Sequence, residues 1–175
     1  MDIYERELRE ILSGNKEVLE KVTKSCSDEE RQKYFKIMDA PFIVVRAAGS
    51  LGIADIVAVR GEISFLVEIK VRKGKEILFS HEGGRMQKKA KEMIEKCEEA
   101  KVLPLFAFRI KGYHGDSWRI YSLPIQELEG RTKLLNSRLP KIGKTANGNY
   151  LMRWEEGMKL SDFIDYVANL CTPKH

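Results

Sequence analysis

FIVVRAAGSLGIADIVAVRGEISFLVEIKV, residues 42–71, contains two or three apolar runs rich in β-branched side chains, the composition of strands buried against a core. Set into those runs are Arg46, Asp55, Glu68 and Lys70, residues that a buried strand ordinarily avoids. One residue separates Glu68 from Lys70, so on a strand the two share a face, roughly 7 Å apart. Burying such a pair costs free energy unless each charge meets a partner or a metal. The stretch therefore predicts a sheet centre that also carries a reactive or binding group.

Working outward, Gly49-Ser50 with Gly52 marks a bend and Arg60-Gly61-Glu62 a hairpin turn. Upstream, Tyr4, Leu8, Ile11 and Leu12 repeat at helical spacing, and Val18, Leu19 and Val22 suggest a second short helix. Ser27-Asp28-Glu29-Glu30 reads as a capping box opening a third helix over about 28–38, which Pro41 ends. Downstream, KGKEILFSHEGG reads as a polar loop. Met86, Ala90, Met93, Ile94 and Cys97 then predict an amphipathic helix near 84–100. The apolar runs 103–110 and 118–123, separated by GYHGD, are two further strands, with Phe108 and Trp118 in the core. Beyond residue 124, Asn147-Gly148 signals a hairpin. Ser161 reads as the N-cap of a final helix that buries Phe163, Ile164, Val167 and Leu170. The expected fold is α/β, a mixed central sheet flanked by helices. Residues 1–27 form an N-terminal helical lead-in, 28–123 the core, and 124–175 a C-terminal hairpin-plus-helix extension.

With 175 residues, 43% of them apolar, the chain can bury a sizeable core. A net charge of +5 leans towards a polyanionic partner. Cys26, Cys97 and Cys171 are odd in number and share no metal-like spacing, and Cys97 falls on a helix's apolar face, so reduced packing roles are expected. His81 and His114 are isolated and receive no role. The N-terminus is too charged for a signal peptide, and no apolar run approaches the ~20 residues of a membrane span. These features lead us to expect a cytoplasmic protein with no membrane partner.

An E-x-K on a strand is ordinarily a cross-strand ion pair or a solvated edge. Here its flanks are apolar, and Asp55 stands thirteen residues upstream in the strand before the Gly61 turn. If the two strands pair, Asp55 and Glu68 can share a hard divalent ion, with Mg²⁺ the expected cofactor and Mn²⁺ an accepted substitute. Lys70 would stand beside it. Such a site suits phosphodiester hydrolysis.

RAAGS, then AD-IVAV, then LVEIKV resembles the archaeal Holliday junction resolvases of the PD-(D/E)xK nuclease superfamily, over about Glu30 to Leu123. The resemblance implies a restriction-endonuclease-like fold and a structure-specific endonuclease acting on branched DNA as a homodimer. It implies metal ligation by Asp55 and Glu68, a catalytic role for Lys70, and positions near the active site for Arg46 and Ser50. Ala54 stands where the superfamily name has Pro. A further acid is expected on the helix before the first strand. Glu5-Arg6-Glu7 copies the family's E-R-E but lies some forty residues before Arg46, whereas Glu30 stands sixteen before it, and spacing favours Glu30 as the third catalytic acid and metal ligand. Arg72 and Arg85 are expected to bind the substrate, in a basic set with Lys73, Lys75, Lys88, Lys89 and Lys91. Gln87, on the following helix, is expected to be solvated. A restriction- or repair-type nuclease, and a non-cutting DNA-binding module on the same fold, are the alternatives.

Overall fold

Strand pairing begins with two antiparallel neighbours and then reverses through a helix. In the computed structural model, which describes residues 2–47 and 52–172, β1 (Ile43–Arg46) pairs antiparallel with β2 (Ile56–Arg60), and β2 with β3 (Ile63–Arg72). The expected hairpin turn lies at Gly61, whose φ of 54° favours glycine. Glu76–Leu78 follows as β4, inside the segment expected to be a loop, and then Arg85–Ala100 as α4. Helix α4 carries the chain back so that β5 (Leu103–Ile110) runs parallel to β3. β6 (Trp118–Ser122) returns antiparallel to β5.

The rest of the chain completes this sheet. After α5 (Gly130–Arg138) come β7 (Gly143–Lys144), β8 (Tyr150–Arg153), β9 (Met158–Lys159) and α6 (Leu160–Cys171). β9 pairs with β6, giving a mixed six-stranded order β1-β2-β3-β5-β6-β9. Gly157 makes that approach possible, since a Cβ there would lie 2.6 Å from both Arg119 and Tyr121. β4, β8 and β7 form a small second sheet, with the expected Asn147-Gly148 hairpin between β7 and β8.

Helices cover both faces. On one lie α1 (Ile3–Leu12), α2 (Lys16–Val22), α3 (Asp28–Phe35), α5 and α6, burying Leu8, Ile11, Tyr34, Leu135 and Phe163 against Phe65, Val67 and Leu105. Phe163 meets Phe65 edge-on at 5.7 Å. On the other, α4 and the small sheet bury Ala90, Met93, Phe79 and Met152 against Phe106 and Phe108. The boundaries expected at 27/28 and 123/124 interrupt neither the sheet nor the core.

Two local readings are corrected. α6 starts at Leu160 with Lys159 at its N-cap position, so Ser161 is not the cap. Its N–H instead donates to Oδ2 of Asp116, a buried carboxylate from the β5–β6 loop that also accepts from the Tyr34 hydroxyl at 2.6 Å. The second concerns the helical lead-in, whose first helix, α1, packs into the core. Phe42 N donates to Leu12 O at 2.9 Å, so the end of α1 meets the start of β1 and residues 13–41 form an excursion between them.

Candidate active site

Register brings the sequence-selected pair together. The β2–β3 register ends with Ile56 opposite Val67, and Asp55 lies just beyond it, close enough for its charge to act on Glu68. The Asp55 N–H donates to Val67 O, and Asp55 Oδ2 accepts from Ile69 N at 2.7 Å, which fixes the carboxylate beside β3. Glu68 and Lys70 point to the α4 face, matching Phe106 and Phe108 on β5. Glu68 is 2% exposed, with Lys70 Nζ at 3.6 Å from Oε1 and, from α4, Lys89 Nζ at 2.6 Å from Oε2.

Charge at this point is strained. Burial first, and then the neighbouring Asp55, push the Glu68 carboxyl from 4.5 up to about 7 against the pull of Lys89 and Lys70. Two acids that repel one another at the end of paired strands are the donor set that a hard cation relieves. Two buried oxygens, Glu68 Oε2 and Glu5 Oε1, each have a single cation within ion-pair distance among the described residues, Lys89 and Arg46. Among the described residues no three of Asp, Glu, His and Cys gather closely enough to form a metal cage. That count suits Mg²⁺, which takes one or two carboxylates and fills its octahedron with water and phosphate oxygens.

The helix-borne acid is not where spacing placed it. Glu30 closes a capping box with Ser27 and receives Lys159 Nζ at 3.2 Å, on the β9 side of the sheet. Burial raises its pKa, but the Ser27 N–H and Lys159 outweigh this and leave it below the usual range. Two strands, β5 and β6, lie between β9 and β3, so three ordinary strand spacings, about 14 Å, keep Glu30 remote from Asp55 and Glu68. Glu5, the other candidate, lies nearer the strand end, although it does not join Asp55 and Glu68 in a three-acid cluster among the described residues. It is buried on α1, 2.9 Å from Arg46 Nε, and Arg46 pairs with Ile56, the residue after Asp55. Glu7 anchors the same helix by accepting from Arg109 Nε and Trp118 Nε1. The E-R-E tripeptide and the Leu8, Ile11, Leu12 stripe were the signals that could have found it.

Gln87 is also corrected. Rather than facing solvent, its Oε1 accepts from Tyr150 N at 2.8 Å and its N–H donates to Phe79 O, tying the start of α4 to the small sheet. Arg72 ends β3 and Arg85 opens α4, both exposed. Lys75 and Lys88 are engaged with Glu155 and Glu92. Ser50 lies outside the described residues. All three cysteines are free, and burial drives the Cys26 and Cys97 thiols up to about 12, so neither is poised as a nucleophile. Among the described residues, no helix is long and apolar enough to cross a membrane.

Residues 21–171 match the family model described as archaeal Holliday junction resolvase (hjc). The chain belongs to that family. The match to these resolvases, which are nucleases of DNA recombination and repair, runs through residues 124–171, beyond the Leu123 limit read from the motifs. Among solved structures, the chain is similar to Hjc, a Holliday junction resolvase of Archaeoglobus fulgidus. That likeness has 16% identity and a TM-score of 0.48, and it covers 71% of this chain and 89% of that one. A search among curated proteins finds no match.

Proposed function

We propose that this protein is a Mg²⁺-dependent endonuclease, accepting Mn²⁺, that resolves four-way DNA junctions as a homodimer. The observation that carries the reading is the Asp55 carboxylate held by Ile69 N–H against β3, next to Glu68, with Lys70 on the Glu68 face. Bound by those carboxylates, a divalent ion would neutralise phosphate charge and lower the pKa of a water. The chain's own groups divide the other tasks. Ile69 N–H holds Asp55 in place, so its free oxygen stays directed along the strand end. Lys70 presents an ammonium that donates to a non-bridging phosphate oxygen as negative charge builds there. Arg46, half-exposed, contacts the neighbouring phosphate, and Glu5 orients its guanidinium.

A symmetric junction needs two cuts, and therefore two sites at a fixed separation. Ile43, Val45 and Val59 are 71%, 53% and 39% exposed on one face of β1 and β2, and we assign this apolar face to the second copy. Val45→Asp should turn the dimer into a monomer by light scattering while leaving the fold intact.

The deciding assay incubates the protein with a labelled four-way junction and with matched duplex, with and without Mg²⁺. Paired cuts in opposite junction strands, only with metal, are expected. Asp55→Ala and Glu68→Ala should each abolish cutting and retain junction binding. Wild-type cutting rates in either variant would place the chemistry elsewhere. Equal cutting of duplex would keep the nuclease and reject the junction preference.

A further inference from the structure

Lys89 brings a cation to Glu68 from α4 rather than from the sheet. Its position is built. Gln87 pins the first turn of α4 to β8 and to Phe79, and Ala90, Met93 and Cys97 bury the helix stripe beside it. Together these fix the helix register, so that Lys89 Nζ reaches a carboxylate oxygen 2.6 Å away while its side chain keeps 29% exposure. That oxygen, Glu68 Oε2, is buried, and the ammonium neutralises it without filling all its lone pairs.

The charge count explains why such a group is needed. Without a cation, Asp55 and Glu68 are balanced by Lys70 and Lys89. A divalent ion at Glu68 would bring two more positive charges against an ammonium that occupies the same oxygen. Lys89 has solvent on its outer side and a flexible stem, so it can yield, whereas Lys70, fixed by β3, stays on the strand face.

We propose that Lys89 is a positioning residue for the metal site: a built-in counter-ion that holds Glu68 until a divalent ion displaces it, and then moves to a phosphate of the bound DNA. This rests on the metal-dependent reading above. Lys89 thereby couples metal binding to substrate grip, with its phosphate contact available only once the ion is in place.

The experiment compares wild type with Lys89→Gln and Lys89→Met, the second keeping an apolar stem should the first disturb packing. Calorimetric titration of the DNA-free proteins with Mn²⁺ should show binding about tenfold tighter in both variants, because the ion no longer competes with a charge-assisted contact. Junction affinity by fluorescence anisotropy should be the same for all three proteins in EDTA. In Ca²⁺, with the junction checked to be uncut, the variants should bind more weakly, and their log–log salt slope should be shallower by about 1. Unchanged or weaker Mn²⁺ affinity in both variants would reduce Lys89 to a structural ion pair and overturn the inference. A loss of junction affinity already present in EDTA would do the same. Absence of Mn²⁺ binding by the wild type would overturn the metal reading itself. Wild-type metal binding and cutting with unaffected variants would overturn only the role of Lys89.

Discussion

Replacing Glu68 by Gln should stabilise the metal-free protein at alkaline pH while destroying its activity. The Glu68 carboxyl is held at about 7 instead of 4.5, mainly by burial and then by Asp55. A carboxyl whose pKa is raised on folding favours the folded state below its unfolded value. It loses that contribution as pH rises through the folded one. Between pH 5 and pH 8 the loss from this single group is about 2–3 kcal/mol. Gln has nearly the same shape as the protonated acid and does not titrate, so the variant escapes the loss. For a chain of this length, that corresponds to an advantage of roughly 5–10 °C in Tm at pH 8, shrinking towards pH 5. The measurement is thermal unfolding in EDTA of both proteins at a series of pH values, taking the difference so that groups common to both cancel. Mg²⁺ added at pH 8 should narrow the gap by stabilising the wild type alone. Parallel pH profiles for the two proteins would refute the reasoning, because they would mean that Glu68 carries no electrostatic strain for a cation to relieve.

Three other outcomes follow from particular contacts. Glu5→Gln should lower the cleavage rate by at least tenfold with little loss of stability, whereas Glu30→Gln, which keeps most of the helix cap, should leave the rate unchanged; the reverse result in a single-turnover junction assay would restore Glu30 to the site. Asp116→Ala leaves the Tyr34 hydroxyl and the Ser161 N–H buried without their acceptor, so urea unfolding should show a loss of about 2–4 kcal/mol, with Asp116→Asn milder and junction cutting intact in the folded variants. If about six phosphates are neutralised through groups such as Arg46, Arg72 and Arg85, junction affinity should fall with salt at a log–log slope of about −5, and an affinity indifferent to salt would exclude phosphate contacts as its main source.

The sequence by itself determined the centre of this protein. Alternation along residues 63–72 places Glu68 and Lys70 on one face, because side-chain direction on a strand depends only on parity. The Gly61 turn makes the two strands antiparallel neighbours, which brings Asp55, just before β2, to the stretch of β3 that carries Glu68. Helix α4 was equally legible, its apolar stripe repeating over four turns. What lay beyond was decided by packing between elements distant in the chain, about which linear spacing says nothing. Sixteen residues seemed to bring Glu30 to Arg46, but the hydrogen bond from Phe42 to Leu12 closes an excursion over residues 13–41 and seats α1, with Glu5, beside β1. Ser161 had the composition of an N-cap, yet the acceptor that serves its N–H comes from Asp116, forty-five residues away. Gln87 read as a solvated helix position and Lys89 as one of a basic set for the substrate, until the small sheet and β3 supplied their partners. Strand parity is local and survives any arrangement of the neighbours. The choice of which helix docks, and which charge a buried carboxylate meets, belongs to the tertiary structure because it depends on which apolar faces find one another.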